Sequence, residues 1–404
     1  MNKLKLGLFI LLALMLVLTP LLGACAKEEA PAEVKTLRIG HIIAMTGPIS
    51  PGLEVCTQGV EAAAEWINEE GGITVGGQQY LIEIVYGDNK STPEGTIAAA
   101  NRLIYEENIK FIVGPIVPWL TIAMAPVSEE AKVIRCLIDG TGTPAEMNPD
   151  TPYTFTSFFE TTWMPPAYDY LVEAYPEVKK VAIVAPDEPG GQYWVEMSKK
   201  EAEAHGLEVV FSENYVIGTE DFYPLMTKML AAKPDAVDLG VGIPPWYAGI
   251  IKGARDLGFT GPLFSGSALH LRLLIELVGT DYANDIFACC LNGESTQLPP
   301  LVNEFRGRVL DKYAGVDFQE AHLGGWIALW CLVQAIEEAQ SLDTTVVANT
   351  WENMESLETP FGPGTMGGLE ALGINHVVMG PHPITKVENG ELIDVGIITP
   401  RFPK

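Results

Sequence analysis

The chain has 404 residues, with 52 acidic against 25 basic side chains, a net charge of −27 and a hydrophobic fraction of 48%. That length accommodates two domains with a sizeable core in each, and an acidic balance without any basic patch excludes a nucleic-acid binder. The six cysteines contain no C-x-x-C pair, which argues against metal and thiol-redox chemistry; they read as mostly buried thiols.

Residues 1–24 have the layout of a secretory signal peptide. Lys3 and Lys5 precede an uncharged apolar stretch from Leu6 to Thr19, and the small-residue site Leu22-Gly23-Ala24-Cys25 follows. The apolar stretch is too short to cross a bilayer comfortably. Leu-x-Ala-Cys resembles the lipobox of bacterial lipoproteins, and that resemblance implies that Cys25 is acylated and becomes the new N-terminus. Residues 25–35 then read as a lipid-anchored tether, because Lys27-Glu28-Glu29-Ala30-Pro31-Ala32-Glu33 has no periodicity.

The folded part opens with the apolar, β-branched run Leu37 to Ala44, which predicts a buried strand ending at the turn Thr46-Gly47-Pro48. Val55, Gly59, Val60, Ala63, Ala64 and Ile67 then recur at helical spacing, and Gly71-Gly72 stops the helix. A strand feeding a helix in this way is the first unit of an open α/β domain, which binds ligands at the carboxyl ends of its strands. The unit repeats. Strands are predicted at Tyr80–Tyr86, Phe111–Val113 and Val133–Ile138, with helices from Pro93 to about Glu107 and from Trp119 to Glu130. Thr92-Pro93 supplies a hydroxyl cap followed by proline at the first helical position.

A second set begins near Thr162. Strands are predicted at Val181–Ala185, Leu207–Phe211, Ala236–Val241 and Leu263–Phe264, with helices between them. Leu301–Tyr313 and Leu323–Gln340 are further helices, and short strands are expected at Val377–Met379, Ile384–Val387 and Leu392–Val395. The pattern predicts two wound α/β lobes with mostly parallel sheets, residues 36–155 plus 288–360 and residues 156–287 plus 361–404. Crossings at Tyr153–Phe158, Ile286–Leu291 and Phe361–Gly367 would act as hinges around a cleft.

Several motifs fall in a particular order along this frame. They are Thr46-Gly47-Pro48, Gln58-Gly59, Ile67-Asn68-x-x-Gly71-Gly72-Ile73, Tyr86-x-Asp88, Val113-Gly114-Pro115, Glu220-Asp221-Phe222, Lys233-Pro234-Asp235-Ala236-Val237 and Ala254-Arg255-x-x-Gly258. Together they resemble the leucine/isoleucine/valine-type solute-binding proteins of ABC importers, over nearly the whole of Leu37 to Val395. The resemblance implies a type I periplasmic-binding-protein fold that closes on a small solute and delivers it to permease and ATPase subunits. It implies a monomer outside the cytoplasm, held to the membrane by its lipid alone, with no cofactor, metal or catalytic group.

The ligand site carries over loop by loop, with departures. Relatives that bind amino acids hold the carboxylate with a hydroxyl after the Val-Gly-x strand; here Pro118 or Trp119 stands near that place. Their Ala-Thr turn corresponds to Gly140-Thr141-Gly142-Thr143, and their Tyr-Gly-x-Gly loop to Gly190-Gly191-Gln192-Tyr193-Trp194. Their tyrosine turn becomes Gly242-Ile243-Pro244-Pro245-Trp246, and the acid that reads the ammonium should fall near Ser265-Gly266-Ser267, where neither Asp nor Glu occurs. A desolvated ammonium needs a paired anion. The sequence therefore predicts a ligand without a free ammonium, an apolar or aromatic carboxylate. Its contacts would come from Pro118, Trp119, Gly140, Thr141, Gly142, Gly191, Gln192, Tyr193, Trp194, Ile243, Trp246 and Ser267.

Other signals are weaker. Gly362-Pro363-Gly364-Thr365-Met366-Gly367 matches G-x-G-x-x-G by letter but follows no clear strand, so a hinge or turn is expected. Ser265 and Ser267 lack a His and Asp constellation, which leaves a secreted hydrolase without support. A true branched-chain amino acid receptor and a ligand sensor on the same fold remain as alternatives.

Overall fold

The computed structural model describes residues 33–50, 52–138 and 143–403. The first half contributes β1 (Lys35–Ile43), β2 (Ile73–Val75), β3 (Gln78–Asp88), β4 (Phe111–Val113), β5 (Ile134–Leu137) and β6 (Thr154–Thr156). The second contributes β7 (Lys180–Pro186), β8 (Glu208–Tyr215), β9 (Ala236–Asp238), β10 (Leu263–Ser265) and β11 (Ile286–Ala288). The last part adds β12 (Leu357–Thr359), β13 (Gly362–Gly367), β14 (Val377–Met379), β15 (His382–Glu388) and β16 (Glu391–Ile398). These build two sheets, ordered β12-β13-β14-β6-β5-β4-β1-β3-β2 and β16-β15-β11-β10-β9-β7-β8. Both are parallel at their centres; the first is antiparallel at both edges, the second only on its β15–β16 side, since β8 pairs parallel with β7. The two wound lobes expected from the sequence are present.

Each sheet has a point where the strand order reverses, between β1 and β4 in the first and between β7 and β9 in the second. Loops leaving the carboxyl ends of strands there open a crevice. The chain passes from the first sheet to the second after β6, returns after β11, and passes again between β14 and β15. Because β6, β11 and β14 run parallel to their neighbours, all three crossings leave from carboxyl ends, and the two crevices face each other.

Two expectations about the tail need correcting. Residues 362–379 belong to the first sheet, not to the second lobe, and the third crossing lies at Gly380–Pro381 rather than at Phe361–Gly367. The glycine-rich segment is not a turn but strand β13, paired antiparallel with β12 and β14. Its small residues suit close packing, since a Cβ at Gly364 would meet the Thr359 methyl at 2.8 Å. Helix Thr344–Glu352, capped by Asp343, was not foreseen.

The core of the first lobe is built on helix Glu54–Glu69 lying against helix Glu320–Ala339. Their backbones approach so closely that a Cβ at Gly59 would sit 2.2 Å from the His322 carbonyl oxygen, and one at Gly325 2.1 Å from that of Cys56. Beside this contact Trp66 packs against Trp326 at 5.7 Å and Trp330 at 5.3 Å, with Phe305 stacked on Trp326 at 4.2 Å. Cys136, Cys289, Cys290 and Cys331 are buried free thiols and Cys56 is buried, while Cys25 lies outside the described residues. Backbone carbonyls cannot rotate away as a side chain does. Gly59→Ala and Gly325→Ala should therefore each cost about 2–3 kcal/mol of stability, read as a lower urea midpoint at unchanged slope.

Candidate functional site: the cleft between the lobes

On the first lobe the site is formed by the loops after β1, β4 and β5. Asp88, at the end of β3, fixes the first: its carboxylate accepts from the Met45 and Thr46 backbone N–H groups at 3.1 and 3.2 Å and from the Thr46 hydroxyl at 2.6 Å. The second loop passes through Val117 at φ +71°, a left-handed conformation that strains a β-branched residue. That bend starts helix Pro118–Glu130, with Pro118 buried and Trp119 half-buried on its first turn. Glu146 ties this helix to the third loop by accepting from the Thr121 hydroxyl at 2.9 Å and the Thr143 backbone N–H at 3.1 Å. Gly140, Thr141 and Gly142 lie outside the described residues.

On the second lobe the loop after β7 departs from the expected grip. Gly190 and Gly191 begin helix Pro189–Ala204, and their N–H groups donate to the side chain of Glu188 at 2.9 and 2.6 Å. Those donors are spent within the protein. Gln192 is exposed and donates to Asp187 at 2.8 Å, and Tyr193 is half-buried against the core. Trp194 is turned fully inward, and its indole N–H donates to Asp238 at 3.2 Å. The helix, expected from Gln192 to His205, starts three residues earlier at Pro189 and places residue 194 on the face toward the sheet.

The loops after β8, β9 and β10 converge. Ile243 caps helix Pro244–Asp256, Trp246 is half-buried, and its ring meets Tyr215 edge-on at 5.9 Å. A Cβ at Gly242 would lie 3.2 Å from the Tyr215 hydroxyl and 3.3 Å from the Tyr247 ring. Both tyrosines are buried, and neither hydroxyl has a hydrogen-bond partner; the same holds for the Thr143 hydroxyl across the cleft. Buried hydroxyls are rarely left unsatisfied; Thr143 belongs to the turn singled out from the sequence, whereas Tyr215 and Tyr247 were not.

Ser267 also sits in this cluster, and it leads to the acid that was expected to be missing. Its hydroxyl donates to Glu160 Oε1 at 2.6 Å, and the Ala268 N–H donates to the same oxygen at 3.1 Å. Glu160 stands four residues beyond β6, on the first crossing, and is 5% exposed. The reasoning that removed an ammonium from the ligand therefore loses its premise. The carboxylate comes from 107 residues earlier in the chain, where an acid directly after Phe158-Phe159 at the end of a strand was the available signal. Burial pushes the Glu160 carboxyl up to about 7; the Ser267 and Ala268 donors oppose this, and Glu320 and Glu146 add to it.

This arrangement defines a class of protein: two α/β lobes, joined by three crossings, that enclose a small solute between opposed carboxyl edges. The chain belongs to the periplasmic binding protein family, whose model matches residues 36–391. It is 25% identical over 346 residues to the Leu/Ile/Val-binding protein BraC3 of Rhizobium johnstonii, covering 84% of this chain and 89% of that one. Among solved structures it resembles a solute-binding protein of an ABC transporter from Rhodopseudomonas palustris HaA2 in complex with p-hydroxybenzoic acid. The TM-score there is 0.77 at 22% identity, covering 91% of this chain and 98% of that one. It also resembles the branched-chain amino acid substrate-binding protein LivJ of Streptococcus pneumoniae in complex with isoleucine, with a TM-score of 0.75 at 19% identity over 91% of this chain and 100% of that one.

The raised Glu160 value has a thermodynamic consequence of definite sign. The folded chain keeps a proton that the unfolded chain releases between the ordinary carboxyl value of 4.5 and about 7. The stabilisation is therefore complete below the lower value and is lost as pH rises to the upper one. Relative to Glu160→Gln, the unliganded wild type should lose on the order of 2–3 kcal/mol across this window. Parallel urea titrations of the two proteins at a series of pH values check this.

Proposed function

We propose that the protein is the extracytoplasmic solute receptor of an ABC importer of the branched-chain-amino-acid type. It closes its lobes on one small solute and passes it to permease and ATPase subunits, working as a monomer. The observation that carries this reading is the set of orphaned hydroxyls of Tyr215, Tyr247 and Thr143, buried where the two carboxyl edges meet. A solute with polar atoms would satisfy them on closure. Trp119, Trp246 and the two tyrosine rings favour an apolar or aromatic body, since apolar burial contributes roughly 25 cal/mol per Å². Isoleucine and p-hydroxybenzoate, the ligands in the two similar structures, share that amphipathic character.

A thermal-shift screen of amino acids, aromatic acids and short-chain acids should find at least one compound that raises the melting temperature, because a ligand bound only by the folded state stabilises it. That compound should also reduce the radius of gyration in solution scattering. An unchanged radius at saturation would contradict lobe closure. Trp119→Ala should weaken the same ligand by roughly tenfold or more through lost apolar contact, measured by calorimetry.

The membrane connection is part of the same reading. Cys25 is acylated, and the tether to Val34 holds the receptor near its permease. One acyl chain binds a membrane only marginally, and two or more hold firmly. Intact-mass analysis of membrane-extracted protein should show a mature chain starting at Cys25 with a mass excess matching several acyl chains. An unmodified Cys25 sinks this part of the proposal.

A further inference from the structure

Resting on the receptor reading above, we propose that Glu320 and His382 form a positioning pair that holds the two lobes together and so sets the affinity of the cleft for every solute alike. The structure has its lobes in contact, since helix Pro118–Glu130 of the first lies against helix Pro189–Ala204 of the second. In this arrangement Glu320, the first residue of helix Glu320–Ala339 in the first lobe, reaches two of the three crossings. Its Oε2 accepts from the Leu291 N–H at 2.6 Å on the second crossing. Its Oε1 lies 3.5 Å from Nε2 of His382, which follows the third crossing and opens strand β15 of the second lobe.

These two atoms face each other just beyond hydrogen-bond length, and neither has another partner among the described residues. Both side chains are buried, at 7% exposure for Glu320 and 1% for His382. The imidazole is not free to turn aside. It is stacked on Trp163 at 3.8 Å and 9°, and Phe158 and Phe361 meet it edge-on at 5.5 and 5.9 Å. Glu320 is held in turn by its bond to Leu291. The separation of the pair is therefore adjusted by movement of the crossings, not by a change of rotamer.

Glu320 belongs to one lobe and His382 to the other, so the contact bears on how the lobes sit together more than on the folding of either. Pulling them apart strips a buried carboxylate oxygen of its partner, close to Glu160, which it already acts on as a like charge. A rotation that lengthens the gap is opposed by that cost. A solute held only by the closed lobes has an affinity proportional to the closed fraction, so the pair scales all solutes by one factor and leaves their ranking alone.

The test needs no solute. Glu94→Cys on the helix after β3 and Glu220→Cys on the loop after β8 are exposed positions on the sides of the two sheets away from the crossings, and both take nitroxide labels. Cys25→Ser and the burial of the other thiols leave one reactive thiol per lobe. Pulsed electron resonance on the mature chain then reads the ratio of closed to open lobes. His382→Phe keeps a ring on Trp163 but removes Nε2, and Glu320→Gln keeps an acceptor for Leu291 but removes the charge. Each should lower the closed-to-open ratio about 5- to 10-fold, and the double variant should lower it no further than the stronger single one. Either variant decides the matter if the other does not fold. A merely structural role lowers the urea midpoint and leaves the ratio unchanged, which overturns the proposal. A raised ratio, or additive effects in the double variant, overturns it too. A ratio moved by a solute but by neither substitution removes the pair and keeps the receptor reading. A ratio moved by the substitutions but by no compound of the thermal-shift screen keeps the pair and counts against the receptor reading.

Discussion

Every covalent connection between the two lobes passes through three short stretches of backbone at the carboxyl edges of β6, β11 and β14. The rest of the molecule depends on that constraint. It forces the two strand-order reversals to face each other, so one small volume is bordered by loops from both sheets. It also concentrates the buried polar groups there, because loop backbone and crossing backbone need partners away from the ladders. Glu320 shows the result. Reaching from the first turn of a helix in one lobe, it meets the N–H of Leu291 on the second crossing and the ring of His382 on the third. His382 is in turn stacked on Trp163, just beyond the first crossing, at 3.8 Å. One packed cluster thus touches all three connections.

The frame around this junction is stiff for reasons already present in the amino-acid pattern. In the first lobe, glycine at 59 and 325 lets two helices approach to backbone contact, and the tryptophan and phenylalanine cluster fills the space beside them. In the second, Asp238 is wholly buried but accepts from Trp194 and Tyr168 at 3.2 Å, from the Ser198 hydroxyl, and from the Gly240 N–H at 2.9 Å. A charge so surrounded acts as an anchor for packing.

Much of the fold was legible in the sequence because apolar strands and amphipathic helices alternate without interruption up to Gln340. Helix 323–340 of the prediction lies within Glu320–Ala339 apart from its last residue, and Val377–Met379 matches its strand. The tail was harder. β12 and β13 are short edge strands rich in Gly and Pro, whose pairing depends on a distant neighbour rather than on local pattern. In the site, of the positions aligned to family motifs, Ser267 and Trp246 lie where the loops after β8, β9 and β10 converge. The identity of the groups that matter was hidden because side-chain direction is set in three dimensions. Trp194, aligned to a ligand-contact position, points into the core, whereas Glu160, Tyr215 and Tyr247 belong to no motif and are assembled only by folding.

The Glu188 cap carries a consequence of its own. A helix amino terminus normally projects the positive end of its dipole, worth roughly half an elementary charge, and so attracts anions. In helix 189–204 a carboxylate from the same chain already occupies that field and uses two of its donors. An anion approaching this helix end therefore meets a charge of its own sign, and the two backbone donors it would need are already taken.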